Sequence, residues 1–433
     1  MALREGEPVT SALIRGRRKL LFSNSSDAAS RSISDFVIDI IFVSTLGASA
    51  FDMGVLNALG SVAFIFASIP AGQLVDKYLP TTVLRVGLSA KLVLLILVMS
   101  LVFTNLLTIP LGFFLSALLG MCNVFTETSQ IAAVPQLSNK DSENREGSIT
   151  SLIAKLTAAD QTLAIIIPAI MGVVLDVIGA PTLLALSSAL LLSSILFANS
   201  IKKFGSPNND VSEINSSVKS EKKGALEGLR FIRANRTLLA LTALVSFSNA
   251  GLAVGSAVEA LFIIKYLDLG PQWYGLLTAI GGIGGVVGAV IAPRITSRYT
   301  SQSITVATAF LQILGSSLML TSAFTPSLTS IILIIAHNLL WGIVVIAFNI
   351  STMSWVTSIT PEALLGRVTS GRRMFTFGAV PLGSLLGGML GSLWGIPAAL
   401  VAWCALIATG LLAYYLLIRS DSGKAGANPE QIS

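Results

Sequence analysis

Gly54-Val-Leu-Asn-Ala-Leu-Gly60 returns as Gly275-Leu-Leu-Thr-Ala-Ile-Gly281 when the chain is shifted by 221 residues, and no gap is needed. The same shift lays Ala71 on Ala292, Lys77 on Arg298 and Tyr78 on Tyr299. A fixed offset surviving over some 25 residues argues for an internal duplication. Both copies sit in long apolar runs, so the repeated unit is a set of helices.

Composition says where those helices lie. Of 433 residues, 53% are hydrophobic and only 12% charged, with a mean hydropathy of +0.80. Soluble chains carry about 25% charged residues, so an ordinary cytosolic enzyme and a disordered protein are both excluded. The chain reads as an integral membrane protein with the lipid bilayer as its main partner. A spanning helix takes about 20 apolar residues, so twelve with short connections use roughly 300 residues and leave about 130 for loops and tails. Cys122 and Cys404 both lie inside apolar runs, and His337 is the single histidine. That inventory predicts no disulfide framework, no metal site and no cofactor.

Hydropathy predicts helices at 26–46, 52–75, 81–104, 107–134, 148–175, 180–199, 237–263, 272–295, 302–323, 327–357, 374–394 and 396–418. The expected organisation is a cytoplasmic tail (1–25), an N-terminal six-helix bundle (26–200), a linker (201–236), a C-terminal six-helix bundle (237–418) and a second tail (419–433). The linker opens with the Ser/Asn-rich stretch Gly205 to Ser220 and closes with Glu227-Gly-Leu-Arg-Phe-Ile-Arg233, read as an amphipathic helix on the membrane surface. The tails and the even-to-odd loops hold 24 Lys and Arg, and the opposite side holds one, Lys265. Both termini are therefore expected in the cytoplasm. The net charge of +6 reads as a topology signal rather than a nucleic-acid surface.

A charge inside a predicted span costs roughly 2.5 to 3.5 kcal/mol unless it meets a cavity or a partner, and nine such charges are candidates for a role. They are Asp27, Arg31, Asp35 and Asp39 in helix 1, Lys91 in helix 3, Glu127 in helix 4, Lys155 and Asp160 in helix 5, and Glu259 in helix 7. The helix 1 set recurs every fourth residue and forms one slowly drifting stripe. Arg31 can reach Asp27 and Asp35 on its own helix, whereas Asp39 lies beyond it. Glycines at 281, 284, 285 and 288, and at 383, 387, 391 and 395, give small-xxx-small surfaces for close helix contact. No G-x-x-x-x-G-K-S/T motif is present, so the energy source is not ATP bound by this chain.

Four stretches carry a family resemblance. Gly72-Gln-Leu-Val-Asp76-Lys77 after helix 2 is similar to a G-x-L-a-D-r motif, and Glu227 to Arg233 looks like a segment that enters helix 7. Pro361-Glu-Ala-Leu-Leu-Gly366-Arg367-Val368 is similar to a P-x-x-x-x-G-R-V loop, and Pro168-Ala-Ile-Met-Gly172 to the antiporter motif G-P-x-x-G-G. With its two six-helix halves, the chain resembles the major facilitator superfamily over essentially its whole length. Within it, the resemblance is to the drug:proton antiporter branch of macrolide-efflux and enterobactin-exporter-like proteins. The first motif departs from the family at Leu79-Pro80-Thr81-Thr82, where a Gly and several basic residues are usual, and Arg85 alone stays nearby. Ile167 stands where the antiporter motif has its first Gly.

The resemblance implies an all-α membrane protein of twelve helices in two pseudo-symmetric bundles, monomeric, in a bacterial inner membrane. It also implies a gating role for Gly72, Asp76, Lys77, Gly366 and Arg367, through a charge relay that latches the cytoplasmic side. Helices 1, 4, 7 and 10 line the central cavity of that fold. On this basis Asp39 is the first proton-carrier candidate and Glu127 the second, with Asp35, Arg31 and Asp160 completing the set. The competing reading is that Asp27, Arg31 and Asp35 form an intrahelical ladder with no transport role, and that Glu127 snorkels. His337, Asn338, Trp341, Asn349 and Glu259 are the substrate-binding candidates, although a lone histidine reads equally well as a packing residue.

The expected function is secondary active transport by alternating access: proton-coupled efflux of a small amphipathic or zwitterionic molecule such as a drug, antibiotic or siderophore. Import of a metabolite or metallophore, or lipid flipping, would use the same architecture. A non-transporting sensor or a membrane enzyme is the remote alternative, since no nucleophile–base pair is apparent in the apolar segments.

Overall fold

The computed structural model describes residues 9–137, 145–201 and 228–425. No strand occurs among the described residues. The long helices in chain order are α1 (Val9–Ile40), α2 (Ala50–Lys77), α3 (Pro80–Phe103) and α4 (Ile109–Ala133), followed by the helical run Arg145–Asn199. That run breaks at Gly179, whose φ of 77° only glycine adopts at low cost, and it is treated as α5 (145–178) and α6 (180–199). Then come α7 (Arg236–Leu261), α8 (Pro271–Thr296), α9 (Ser301–Ser322), α10 (Ser327–Ile359), α11 (Glu362–Trp394) and α12 (Ile396–Ala425).

Eleven helices among the described residues are long and apolar enough to cross a membrane. The remaining long one, α1, carries the four-residue charge stripe, which lowers its hydropathy. Its place in the duplication identifies it as the twelfth. A π-turn at Ile41–Thr45 ends α1, and the shift of 221 residues carries it onto the π-turn Phe262–Tyr266 that ends α7. In each, the backbone N–H of the following leucine, Leu46 or Leu267, closes back onto the first π-turn carbonyl. The duplication therefore extends to a backbone irregularity that hydropathy does not report.

Contacts divide the chain into two units, Met1–Gly47 with Leu59–Ile214, and Ala48–Ala58 with Asn215–Ser433. The expected bundle boundaries shift in three places. First, residues 9–25, read as tail, continue α1 as helix, and Leu13, Leu20, Ser23 and Asn24 are buried there. The basic residues of this stretch hid its packing face from a hydropathy reading. Second, Ala48–Ala58, which includes the start of α2, belongs with the second unit: the Phe51 N–H donates to Ser392 Oγ, and a Cβ on Gly54 would meet Gly388 Cα at 2.8 Å. Third, the described part of the linker helix, 228–234, buries Ile232 in an apolar cluster with Leu238, Leu241, Val356 and Val368. Its apolar face thus rests on protein rather than on lipid, while Arg230 and Arg233 stay exposed.

In the first unit, α1 and α6 run antiparallel along a serine seam. Ser23 meets Ser194 and Ser30 meets Ser187, hydroxyl to hydroxyl, at 3.0 and 2.9 Å, all four fully buried. Small side chains allow the close approach, and hydrogen bonds across it contribute about 0.6 kcal/mol each. The second unit uses glycine instead. Gly383 and Gly387 of α11 lie against Ala250 and Val254 of α7, while Gly284 and Gly288 of α8 lie against Leu339 and Ile343 of α10.

Candidate coupling site

The α1 stripe organises the polar interior of the first unit. Lys91 of α3 donates to Asp27 at 2.6 Å, and the two side chains are only 2% and 4% exposed. Gln130 of α4 donates to the other Asp27 oxygen at 3.4 Å. One turn further along α1, Arg31 forms an ion pair with Glu127 of α4, and here the side chains are 23% and 39% exposed. Asp35 is exposed and Asp39 half-buried. On the preceding turn, Asn24 donates to Asp160 of α5 at 2.8 Å and to the Leu156 carbonyl at 3.3 Å.

The intrahelical ladder of the competing reading, Asp27, Arg31 and Asp35, is therefore replaced by pairs between helices. An i,i+4 pair contributes only about 0.2 to 0.5 kcal/mol, whereas leaving Lys91 buried without an acid would cost far more. Asp27 satisfies Lys91, and Arg31 turns to Glu127. Glu127 is held in this pair instead of snorkelling. Asp160 faces α1 through Asn24. Lys91 and Lys155 separate in role: Lys91 is sealed against Asp27, and Lys155 is exposed.

The substrate candidates scatter. His337 is 3% exposed, shares a hydrogen bond with the Gly315 carbonyl at 2.7 Å, and packs between Trp341 and Trp403, with ring centroids at 5.7 and 5.2 Å. Asn338 is buried and donates to the Ile334 carbonyl of its own helix. The structure thus places these two in helix packing, because the glycines of α8 and α9 bring backbone up against them. Trp341 is half-buried and sits edge-on to Trp403 at 5.0 Å. Asn349 is exposed and borders an open surface hollow along α10, with Met353, Ser354 and Thr357. Glu259 is half-buried, and its carboxylate has no hydrogen bond or ion pair among the described residues.

The gating residues occupy helix ends. Asp76 and Lys77 are exposed at the end of α2, where Lys77 lies over the Tyr78 ring at 5.5 Å. Asp76 makes no ion pair among the described residues, and Arg85 instead donates to the carbonyls of Ala198, Asn199 and Ile201 after α6. Arg85 thus caps the end of α6 rather than meeting Asp76. Gly72 lies in the last turns of α2. Gly366 and Arg367 belong to the first turns of α11 rather than to a loop, and the Arg367 backbone packs on Gly228 of the linker helix. Sequence reasoning missed Gln130, Asn24 and Trp403. The first two stand three residues from Glu127 and Asp27, on the same helix faces, and that spacing was available as a signal.

The Major Facilitator Superfamily model matches residues 20–370. The chain is a member of the major facilitator superfamily. Among curated relatives, the multidrug efflux pump Tap of Mycolicibacterium fortuitum is 26% identical over 382 residues, which cover 85% of this chain and 88% of Tap. Solved structures with the same superfamily fold include a point mutant of the nucleoside transporter NupG, 15% identical with a TM-score of 0.73, covering 94% of this chain and 99% of that one. A bacterial homologue of the iron transporter ferroportin is 14% identical with a TM-score of 0.70, covering 93% and 98%. The all-helical architecture of twelve spans and the transporter class follow from this membership.

Proposed function

We propose that this superfamily member is a proton-coupled exporter of small amphipathic or zwitterionic molecules, oriented with both termini in the cytoplasm. The observation that carries the reading is the Arg31–Glu127 pair: a charged pair inside membrane spans that the protein leaves partly uncovered and that adjoins exposed Asp35. A proton arriving at Glu127 removes the charge that holds Arg31. Arg31 is then within reach of Asp35 one turn along α1, so protonation trades one pair for another. Such an exchange gives protonated and deprotonated states different internal contacts, which is what biasing a conformational equilibrium requires. Asp39 on the same stripe and Asp160 on α5 flank the exchange. Similarity to Tap supports export of drug-like cargo, and the Lys/Arg bias supports the orientation.

The test is accumulation of fluorescent amphipathic drugs in cells expressing the protein. Lower accumulation than in control cells, abolished by a protonophore and by Glu127→Gln, is the expected result. Higher accumulation that depends on the protein would overturn export in favour of import. Accumulation unchanged by the protonophore would remove proton coupling.

A further inference from the structure

Between the first turns of α1 and of α5 lies a cavity of about 260 Å³ that the transport reading does not use. On α1 it is lined by Ile14, Arg17, Arg18 and Leu21, and on α5 by Ser148, Ser151, Leu152 and Lys155. Both sets follow the i, i+3, i+4, i+7 spacing of a single helix face, so two packing faces meet here. Faces that meet this way normally interlock apolar side chains. These two instead leave a void, with three cations, two hydroxyls and, among the described residues, no acid in its wall.

The cations are arranged to receive a ligand rather than to satisfy one another. Arg17 Nε donates to the Leu137 carbonyl at 2.7 Å, which fixes the guanidinium and leaves its terminal nitrogens for another acceptor. Lys19 Nζ, anchored on the Ser200 carbonyl at 2.7 Å, sets the rotation of the same helix. Arg18 and Lys155 are exposed, and neither has a hydrogen bond or ion pair among the described residues. Arginine forks with lysine and serine hydroxyls present donors in the geometry that phosphate oxygens accept. The cavity also lies at the end of the spans that carries the basic loops, the end that the Lys/Arg bias assigns to the cytoplasmic headgroup region. Leu21 and Leu152 give it an apolar floor, and Ile14, 47% exposed, gives an apolar lip. Basic pockets between spans at this depth suit anionic headgroups.

We propose that this cavity is a binding site for a phosphate group, supplied by the headgroup of an anionic phospholipid in the leaflet that faces the basic loops.

The test uses the full-length protein in nanodiscs and native mass spectrometry, with phosphatidylglycerol as probe and phosphatidylcholine as reference. Removing two charges by Arg18→Gln with Lys155→Gln is expected to weaken phosphatidylglycerol retention about thirty-fold, at about one surface-charge contribution each. Arg294→Gln with Arg298→Gln removes two exposed cations elsewhere, from α8 and the residues just after it, and is expected to leave retention near wild type. Equal loss in both double variants, or no preference for phosphatidylglycerol over phosphatidylcholine, would overturn the site. All four substituted residues are exposed, so unchanged thermal midpoints in neutral nanodiscs would show that the variants fold.

Discussion

Asp27 and Arg31 stand one helical turn apart on α1, and their ion pairs face opposite environments. The Asp27–Lys91 pair is sealed at 4% and 2% exposure, with Gln130 on the second carboxylate oxygen. The Arg31–Glu127 pair keeps 23% and 39%. A sealed pair cannot exchange protons with water without opening the helices around it, so it acts as a strut that fixes α1 against α3. An open pair can gain or lose a proton while the fold stays in place. The same stripe of charges therefore divides into a structural end and a responsive end. The division follows which neighbouring helix supplies the partner, not the spacing along α1.

The largest expected effect comes from breaking the strut. Lys91→Met leaves Asp27 buried without its cation and should destabilise the protein by about 3 to 5 kcal/mol, read as a lowered thermal midpoint in detergent. Adding Asp27→Leu should recover most of that loss, because an apolar pair of similar volume often replaces a buried ion pair at little cost. If Lys91→Met alone leaves the midpoint unchanged, the strut has no basis. An intermediate case lies one turn before Asp27. Asn24→Ala removes a buried donor from Asp160 and from the Leu156 carbonyl, and about 1 to 3 kcal/mol should be lost in the same assay.

The smallest effect on stability is expected at the open pair. Glu127→Gln should change stability by no more than about 1 kcal/mol, as for other solvent-accessible pairs. Its effect on proton-driven flux should nevertheless exceed that of any strut variant that still folds. Asp39→Asn should lower flux by less than Glu127→Gln does, and parity between the two would move the exchange one or two turns along α1.

Much of the architecture could be read before any coordinates. Hydropathy gave twelve spans, eleven of which the structure holds as helices long and apolar enough to cross a membrane, whereas the matched π-turns at 41–45 and 262–266 were not foreseen. Helix 1 was placed too late in the chain because Arg15, Arg17, Arg18 and Lys19 depress hydropathy, although Leu13, Leu20 and Ser23 pack inward between them. The charged residues of the candidate site were all visible, since a charge in a span needs a reason. Their pairing was not. Sequence spacing reports only neighbours on one helix, whereas Lys91 and Glu127 reach α1 from α3 and α4, and tertiary packing decides between such options. His337 and Asn338 went the same way: their polarity suggested substrate contact, and close glycine packing turned it toward neighbouring backbone instead.

The central claim is that the open pair couples and the sealed pair does not. It is tested most directly by proton flux into proteoliposomes when an amphipathic drug is added under an imposed proton gradient. Wild type, Glu127→Gln and the double variant Asp27→Leu/Lys91→Met would be compared at matched folding. The account predicts drug-dependent proton flux in the wild type and the double variant, and its loss in Glu127→Gln. Normal coupled flux in Glu127→Gln, or its absence in a folded double variant, would contradict it.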